Sequence, residues 1–289
     1  MNSPSPAPIA GLSDIAGDYD AILCDVWGVV HNGVASFPAA CDALARFRDR
    51  GGRVLLITNA PRPREPILAQ LERLAVPPAS FDDVITSGGV TQGLLAEPAG
   101  AAVYHLGPDR DRAIYDGLSI RLVGEAEAEV ISCTGLFDDE QEVPEDYRDR
   151  LARWAGRGLP MICANPDLVV ERGKKLVPCA GALAAIYGEL GGEVRQVGKP
   201  HAPIYAAAMA RLDEIAGRPL PKTRLVAIGD GIATDVSGAF RQGIDVVFVT
   251  AGIHMAEFGH ADRPDPGKIA AFLAKHGVGA RAWMTRLRW

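Results

Sequence analysis

A chain of 289 residues, 48% of them hydrophobic, can bury enough apolar surface for one large domain or two ordinary ones, and the sequence favours two. Its formal net charge of −6 is interspersed along the chain, which leaves no basic stripe for nucleic-acid phosphates and no polybasic patch for a membrane. No basic segment leads into an apolar core at the amino terminus, and no run approaches the ~20 apolar residues that span a bilayer, so a cytoplasmic protein is expected.

The Pro/Ser/Ala-rich residues 1–10 read as a flexible tail. An apolar run from Ala21 to Cys24 then reads as a buried strand ending on Asp25, and "PAACDALARFRDRG" as an amphipathic helix with Pro38 near its start and Gly51 at its end. A second strand, Val54 to Ile57, delivers Thr58 and Asn59. Further strands follow at Ala101 to Leu106, in "AEVISCTG" and at Met161 to Ala164, with a helix between the last two on which Tyr147, Leu151 and Trp154 share a face. After Lys199 in "VGKP" come the helix "PIYAAAMARLDEIAG", a strand from Leu225 to Ile228 leading into "IGDGIATD", and a strand from Val246 to Val249. The final "RAWMTRLRW" carries Trp283, Met284, Leu287 and Trp289, which either cover the core or form a homodimer contact; packing is the preferred reading.

Alternating strands and helices predict an α/β protein built on a Rossmann-like, doubly wound parallel sheet. Residues 90–192 have strand and helix signals of their own and read as an inserted domain, leaving 1–89 and 193–289 as a discontinuous core. Five cysteines from Cys24 to Cys179, without close pairs, make neither a disulfide framework nor a zinc spacing, and are expected as reduced core thiols.

In open α/β sheets chemistry collects at the carboxyl ends of the strands. Those ends supply Asp25, Thr58 with Asn59, Lys199, and Asp230 with Asp235. Singly, each has a plain alternative: a helix-capping carboxylate, an ordinary turn, a solvated lysine. Together they suit phosphoryl transfer to a carboxylate nucleophile, which must be shielded from the negative charge of its substrate. Asp25 and Asp230 offer hard oxygens to Mg²⁺, with Asp235 orienting the metal or its waters. The Thr58 hydroxyl and nearby backbone N–H groups offer bonds to phosphoryl oxygens, which Lys199 neutralises.

Two rival phosphate motifs fail. In "GGEVRQVGKP" five residues separate Gly192 from Gly198 where a mononucleotide P-loop has four, and Pro200 takes the Ser/Thr position. "GDGIAT" has Thr234 where a dinucleotide fingerprint needs its third glycine.

The four motifs "DVWGVVHNG", "ITNAP", "VGKP" and "GDGIATD" together resemble those of the haloacid dehalogenase superfamily of aspartate-nucleophile phosphatases, over nearly the whole chain. The segment "ANPDLVVERGKKLVPCAGALAAIYGEL" resembles the class IIA α/β cap of its nitrophenyl-phosphatase and sugar-phosphatase branch, and Asp-Val-Trp-Gly resembles a bacterial group within that class. The resemblance implies Asp25 as nucleophile, Thr58 and Lys199 as phosphoryl binders, and Asp230 and Asp235 on the metal. It implies Asn59, Asn165 and Asp167 near the substrate, Mg²⁺ as cofactor and a small phosphorylated metabolite as substrate.

Trp27 departs from the pattern, because most phosphatases of this superfamily place a second aspartate there as general acid and base. By the resemblance only the backbone carbonyl of that residue is a metal ligand, and Trp27 keeps it. Three readings stay open: a phosphatase that finds its proton elsewhere, with His31 the nearest titratable group; a phospho-ligand-binding or regulatory protein plugged by the indole; and a metal-free dehalogenase, against which Asp230 and Asp235 argue. Trp27 itself either walls the substrate or fills core space, and His31 is either a proton carrier or a turn residue.

Overall fold

The computed structural model describes residues 6–97, 99–172, 175–260 and 262–289. The chain divides into two compact units: Met1–Thr58 with Leu68–Ile85 and Tyr205–Trp289, and Asn59–Ile67 with Thr86–Ile204. The second unit reaches past the sequence boundaries 90 and 192 at both ends. Backbone and side-chain bonds draw the extra residues in, among them Gly88 N–H to Ala60 C=O at 3.0 Å and Lys199 N–H to the Asn59 amide at 2.7 Å.

The first unit is built on a seven-stranded sheet. Its order across the sheet is Ala7–Pro8, Ala282–Met284, Asp245–Val249, Leu225–Gly229, Ala21–Asp25, Arg53–Thr58 and Asp83–Thr86. The pairings from Ala7–Pro8 through Arg53–Thr58 are parallel. Helices on a parallel sheet bury both faces, which is why Ala21–Asp25 is buried at every position and lacks the apolar–polar alternation of a half-exposed strand. Pro38 opens the helix Pro38–Asp49 with its φ already set, and Gly51, at φ +90°, turns the chain out of it.

Register does the positioning. Cys24 pairs with both Ile228 and Leu56, and Asp25 pairs with Ile57. Asp25, Thr58 and the residues after Gly229 therefore leave the sheet at neighbouring points on its carboxyl edge. A slip of one residue would turn each of these side chains to the opposite face.

The second unit has its own five-stranded parallel sheet, in the order Val194–Gln196, Met161–Cys163, Val130–Cys133, Ala102–Leu106 and Arg121–Leu122. One face packs Tyr147, Leu151, Trp154, Leu183 and Tyr187; the other packs Val103, Ile114, Ile162 and Val197. The predicted helical face of Tyr147, Leu151 and Trp154 is thus the face that fills the core. A two-stranded antiparallel ribbon, Val169–Arg172 with Lys175–Pro178, stands apart from the sheet.

One expectation is corrected at the amino terminus. Ala7–Pro8 pairs in parallel with Ala282 and Trp283, and the N–H groups of Ile9 and Leu12 bond to the carbonyls of Trp283 and Arg288. The open edge of Ala282–Met284 carries unpaired backbone groups, and pairing them fixes residues that composition alone reads as loose; Pro8 is tolerated because the strand it joins is an edge. Residues 1–5 of that expected tail lie outside the described residues. At the other end Trp283, Met284 and Leu287 are buried, as packing requires. All five cysteines are buried. Among the described residues no helix is long and apolar enough to cross a membrane.

Candidate functional site

In the first unit Asp25, Asp230 and Asp235 are all buried, and one carboxylate oxygen from each lies within 4.8 Å of the others. Asp25 ends its strand, Asp230 follows Gly229 at the end of the next, and Asp235 sits on the single π-helical turn Ile232–Val236, a local widening of the kind that recurs at functional sites. Gly231 N–H donates to Asp235 Oδ2 at 3.0 Å and Ile253 N–H to Asp230 Oδ2 at 2.9 Å.

Glycines make room for this crowding. A Cβ on Gly28, where φ is +82°, would stand 2.2 Å from Asp230 Oδ2, and one on Gly252 would stand 1.8 Å from it. Like charges 4.8 Å apart, the limit of the carboxylate spacing here, repel by roughly 3 kcal/mol per pair even at an effective dielectric near 20. Three buried carboxylates facing one another therefore favour a counter-charge, and an all-oxygen donor set suits a hard divalent cation.

Thr58 is buried at the end of its strand, beside the strand that ends on Asp25. Trp27 is half-buried and meets the His31 ring edge to face, centroids 5.2 Å apart at 75°. Gly33 lies directly under the indole, where a Cβ would stand 2.4 Å from Cη2.

His31 is only 2% exposed, and its Nδ1 accepts the Gly33 N–H at 3.0 Å. Burial pulls its pKa down to about 4. Burial thus favours the neutral imidazole at neutral pH, with its Nδ1 engaged by the Gly33 N–H. It belongs to the turn that carries Trp27, whose neighbour Gly28 donates its N–H to the His31 carbonyl at 2.8 Å.

The second unit brings four further expected residues together. Lys199 is 3% exposed and Asn59 5%. Asn59 Oδ1 accepts the Lys199 N–H at 2.7 Å, while Asn59 Nδ2 donates to the Lys199 carbonyl at 3.1 Å and to Asp167 Oδ1 at 2.9 Å. Asn165 Oδ1 accepts the Asp167 N–H at 3.0 Å, an Asx turn that shapes the Asn-Pro-Asp loop. Asn59 thus uses both amide donors and one acceptor lone pair within the second unit.

One contributor was missed. The loop Gly252–His254 supports the acid cluster through Ile253, and His254 Nε2 accepts the Ile232 N–H at 3.3 Å while its ring packs on Phe272, centroids 5.0 Å apart. A signal was present, since this glycine follows the strand Asp245–Val249 at the same carboxyl edge.

Residues 22–121 match the family described as haloacid dehalogenase-like hydrolase, and residues 196–275 the one described as HAD-hydrolase-like. The chain is similar to a haloacid dehalogenase-like hydrolase from Brucella suis, at 47% identity over 96% of this chain and 98% of that one, with a TM-score of 0.86. It is 28% identical to an acid sugar phosphatase of Staphylococcus aureus, over 83% of this chain and 89% of that protein. A glycerol phosphate phosphatase from Mycobacterium tuberculosis, solved in complex with magnesium, is 25% identical over 83% of this chain and 70% of that chain, with a TM-score of 0.65.

Two outcomes follow from the geometry. Gly252→Ala should weaken divalent-cation binding and lower stability by about 1–3 kcal/mol, because its Cβ would displace Asp230; calorimetric titration with Mg²⁺ and urea unfolding measure the two effects. His31 binds its proton more readily unfolded than folded, so its contribution to stability is complete above pH 6.5 and is lost as pH falls towards 4, a change on the order of 3 kcal/mol. Unfolding curves across that window should flatten in a His31→Asn variant, and an unchanged slope would refute the assignment.

Proposed function

Because the chain belongs to the haloacid dehalogenase-like hydrolase family, we propose that it hydrolyses a small phosphate monoester of the sugar-phosphate kind through a phosphoryl group carried on Asp25. The observation that carries this reading is the buried trio of Asp25, Asp230 and Asp235 at the carboxyl edge of the parallel sheet. The relatives named for acid sugar and glycerol phosphate hydrolysis support the substrate class.

Mg²⁺ is the proposed cofactor, held by the carboxylates of Asp25 and Asp230 and the Trp27 carbonyl, with Asp235 on the metal side. When bound, it supplies positive charge against the phosphoryl oxygens. Asp25 is the attacking oxygen: its bond to phosphorus forms as the ester oxygen leaves, and water later breaks the phospho-aspartate to release inorganic phosphate. Thr58 donates to the phosphoryl group and Lys199 neutralises it. Asn165 and Asp167 shape the loop of the cap domain that selects the substrate.

Trp27 governs which esters react. An indole cannot protonate a leaving oxygen, and neutral His31 does not replace the missing acid. Loss of a positioned acid/base typically costs a factor of about 10²–10⁴. Aryl and acyl phosphates, whose leaving groups are stable as anions, should therefore turn over much faster than alkyl phosphates. The same two residues favour a second reading, in which the chain binds a phosphorylated ligand and turns it over weakly.

A panel of aryl, acyl and alkyl phosphates assayed with and without Mg²⁺ separates the two. Mg²⁺-dependent release of phosphate supports the enzyme; saturable binding with no release supports the binder. Trp27→Asp should raise alkyl-phosphate turnover, once circular dichroism shows that the variant folds without the indole over Gly33. A folded variant that gained nothing would sink the missing-acid account.

A further inference from the structure

The buried amide of Asn59 has two N–H donors and a carbonyl oxygen with two lone pairs. Both donors and one lone pair are engaged, by the Lys199 carbonyl, the Asp167 carboxylate and the Lys199 N–H. Two bonds to the N–H and C=O of a single residue grip its backbone at two points. They fix the direction in which the Lys199 side chain leaves the chain, and a lysine stem of four rotatable carbons needs that starting direction if its ammonium is to arrive at one place.

Asp167 supplies the third bond and, with it, an orientation. An ionised carboxylate only accepts hydrogen bonds, so it holds Nδ2 towards itself and leaves Oδ1 to face the Lys199 N–H. The reversed amide would set oxygen against carboxylate and N–H against N–H. Asp167 is itself held by the Asx turn from Asn165. Gly198 closes the packing, because a Cβ there would stand 2.5 Å from Asn59 Oδ1 and 2.6 Å from Pro166 Cδ.

We propose that Asn59 is a positioning residue: it sets the Lys199 ammonium for phosphoryl binding, with its amide orientation dictated by Asp167, so that the Asn165–Asp167 loop and the lysine are held as one piece. This rests on Lys199 being the phosphoryl-binding cation proposed above. It reassigns Asp167 from a substrate-facing charge to an acceptor that orients Asn59.

The test is calorimetric binding of inorganic phosphate to the full chain with Mg²⁺ present, with p-nitrophenyl phosphate kinetics alongside. Lys199→Ala and Asn59→Ala should each weaken phosphate binding by about tenfold or more, and the double variant should be no weaker than Lys199→Ala, because Asn59 acts through the lysine. Asp167→Asn, which keeps an acceptor oxygen, should recover most of the affinity that Asp167→Ala loses. Additive losses in the double variant would show that Asn59 meets the phosphate itself and would overturn the proposal. So would equal losses from Asp167→Asn and Asp167→Ala, which would show that an acceptor for Asn59 Nδ2 is not what Asp167 supplies; this pair decides the matter if Asn59→Ala does not fold. Unchanged binding in Lys199→Ala is a different failure, since it would remove the reading of the lysine on which the inference stands.

Discussion

Mutual repulsion among three buried carboxylates is the constraint that organises the first unit. Asp25, Asp230 and Asp235 come within 4.8 Å of one another only because a parallel sheet holds two of them at the ends of adjacent strands, and a π-helical turn returns the third. The N–H groups of Gly231 and Ile253 hold two of them, and a cation would offset the repulsion among the three. The sheet is a rigid frame whose hydrogen-bonded register resists the charges' tendency to separate. Gly28 and Gly252 then remove the side chains that would fill the space around Asp230.

Much of this was legible in the sequence, and for a physical reason. Strands buried on both faces read as continuous apolar runs, and the first polar residue after such a run marks the sheet's edge. Asp25, Thr58 and Asp230 each stand at such a transition, so the pattern located them without knowledge of the sheet order. Strand pairing of Ala7–Pro8 was illegible because two residues carry no periodicity; their order comes from an edge strand nearly the whole chain away in sequence. His254 was missed for a related reason, since its bond to Ile232 links two loops whose proximity depends on the pairing of Leu225–Gly229 with Asp245–Val249.

Side-chain roles were less legible than side-chain positions. Asn59 and His31 were both identified from motifs, and both prove to be committed to neighbours within the fold. A sequence shows which functional groups are present and where a strand ends. It does not show how many of a group's hydrogen bonds are already taken, and that count separates a group that meets a ligand from one that orients another residue.

The Trp27 neighbourhood shows how one large side chain shapes its surroundings. An indole at this position needs a flat contact beneath it and a partner at its edge, and the chain provides both: Gly33 without a side chain and the His31 imidazole. His31 in turn is buried by that packing, and burial is what holds it neutral. The indole and the imidazole thus share one packed turn, in which burial of the ring favours its neutral form. Packing and ionisation are opposed in this turn, because a charged imidazole would lose its water at the contact that the neutral ring makes with the indole.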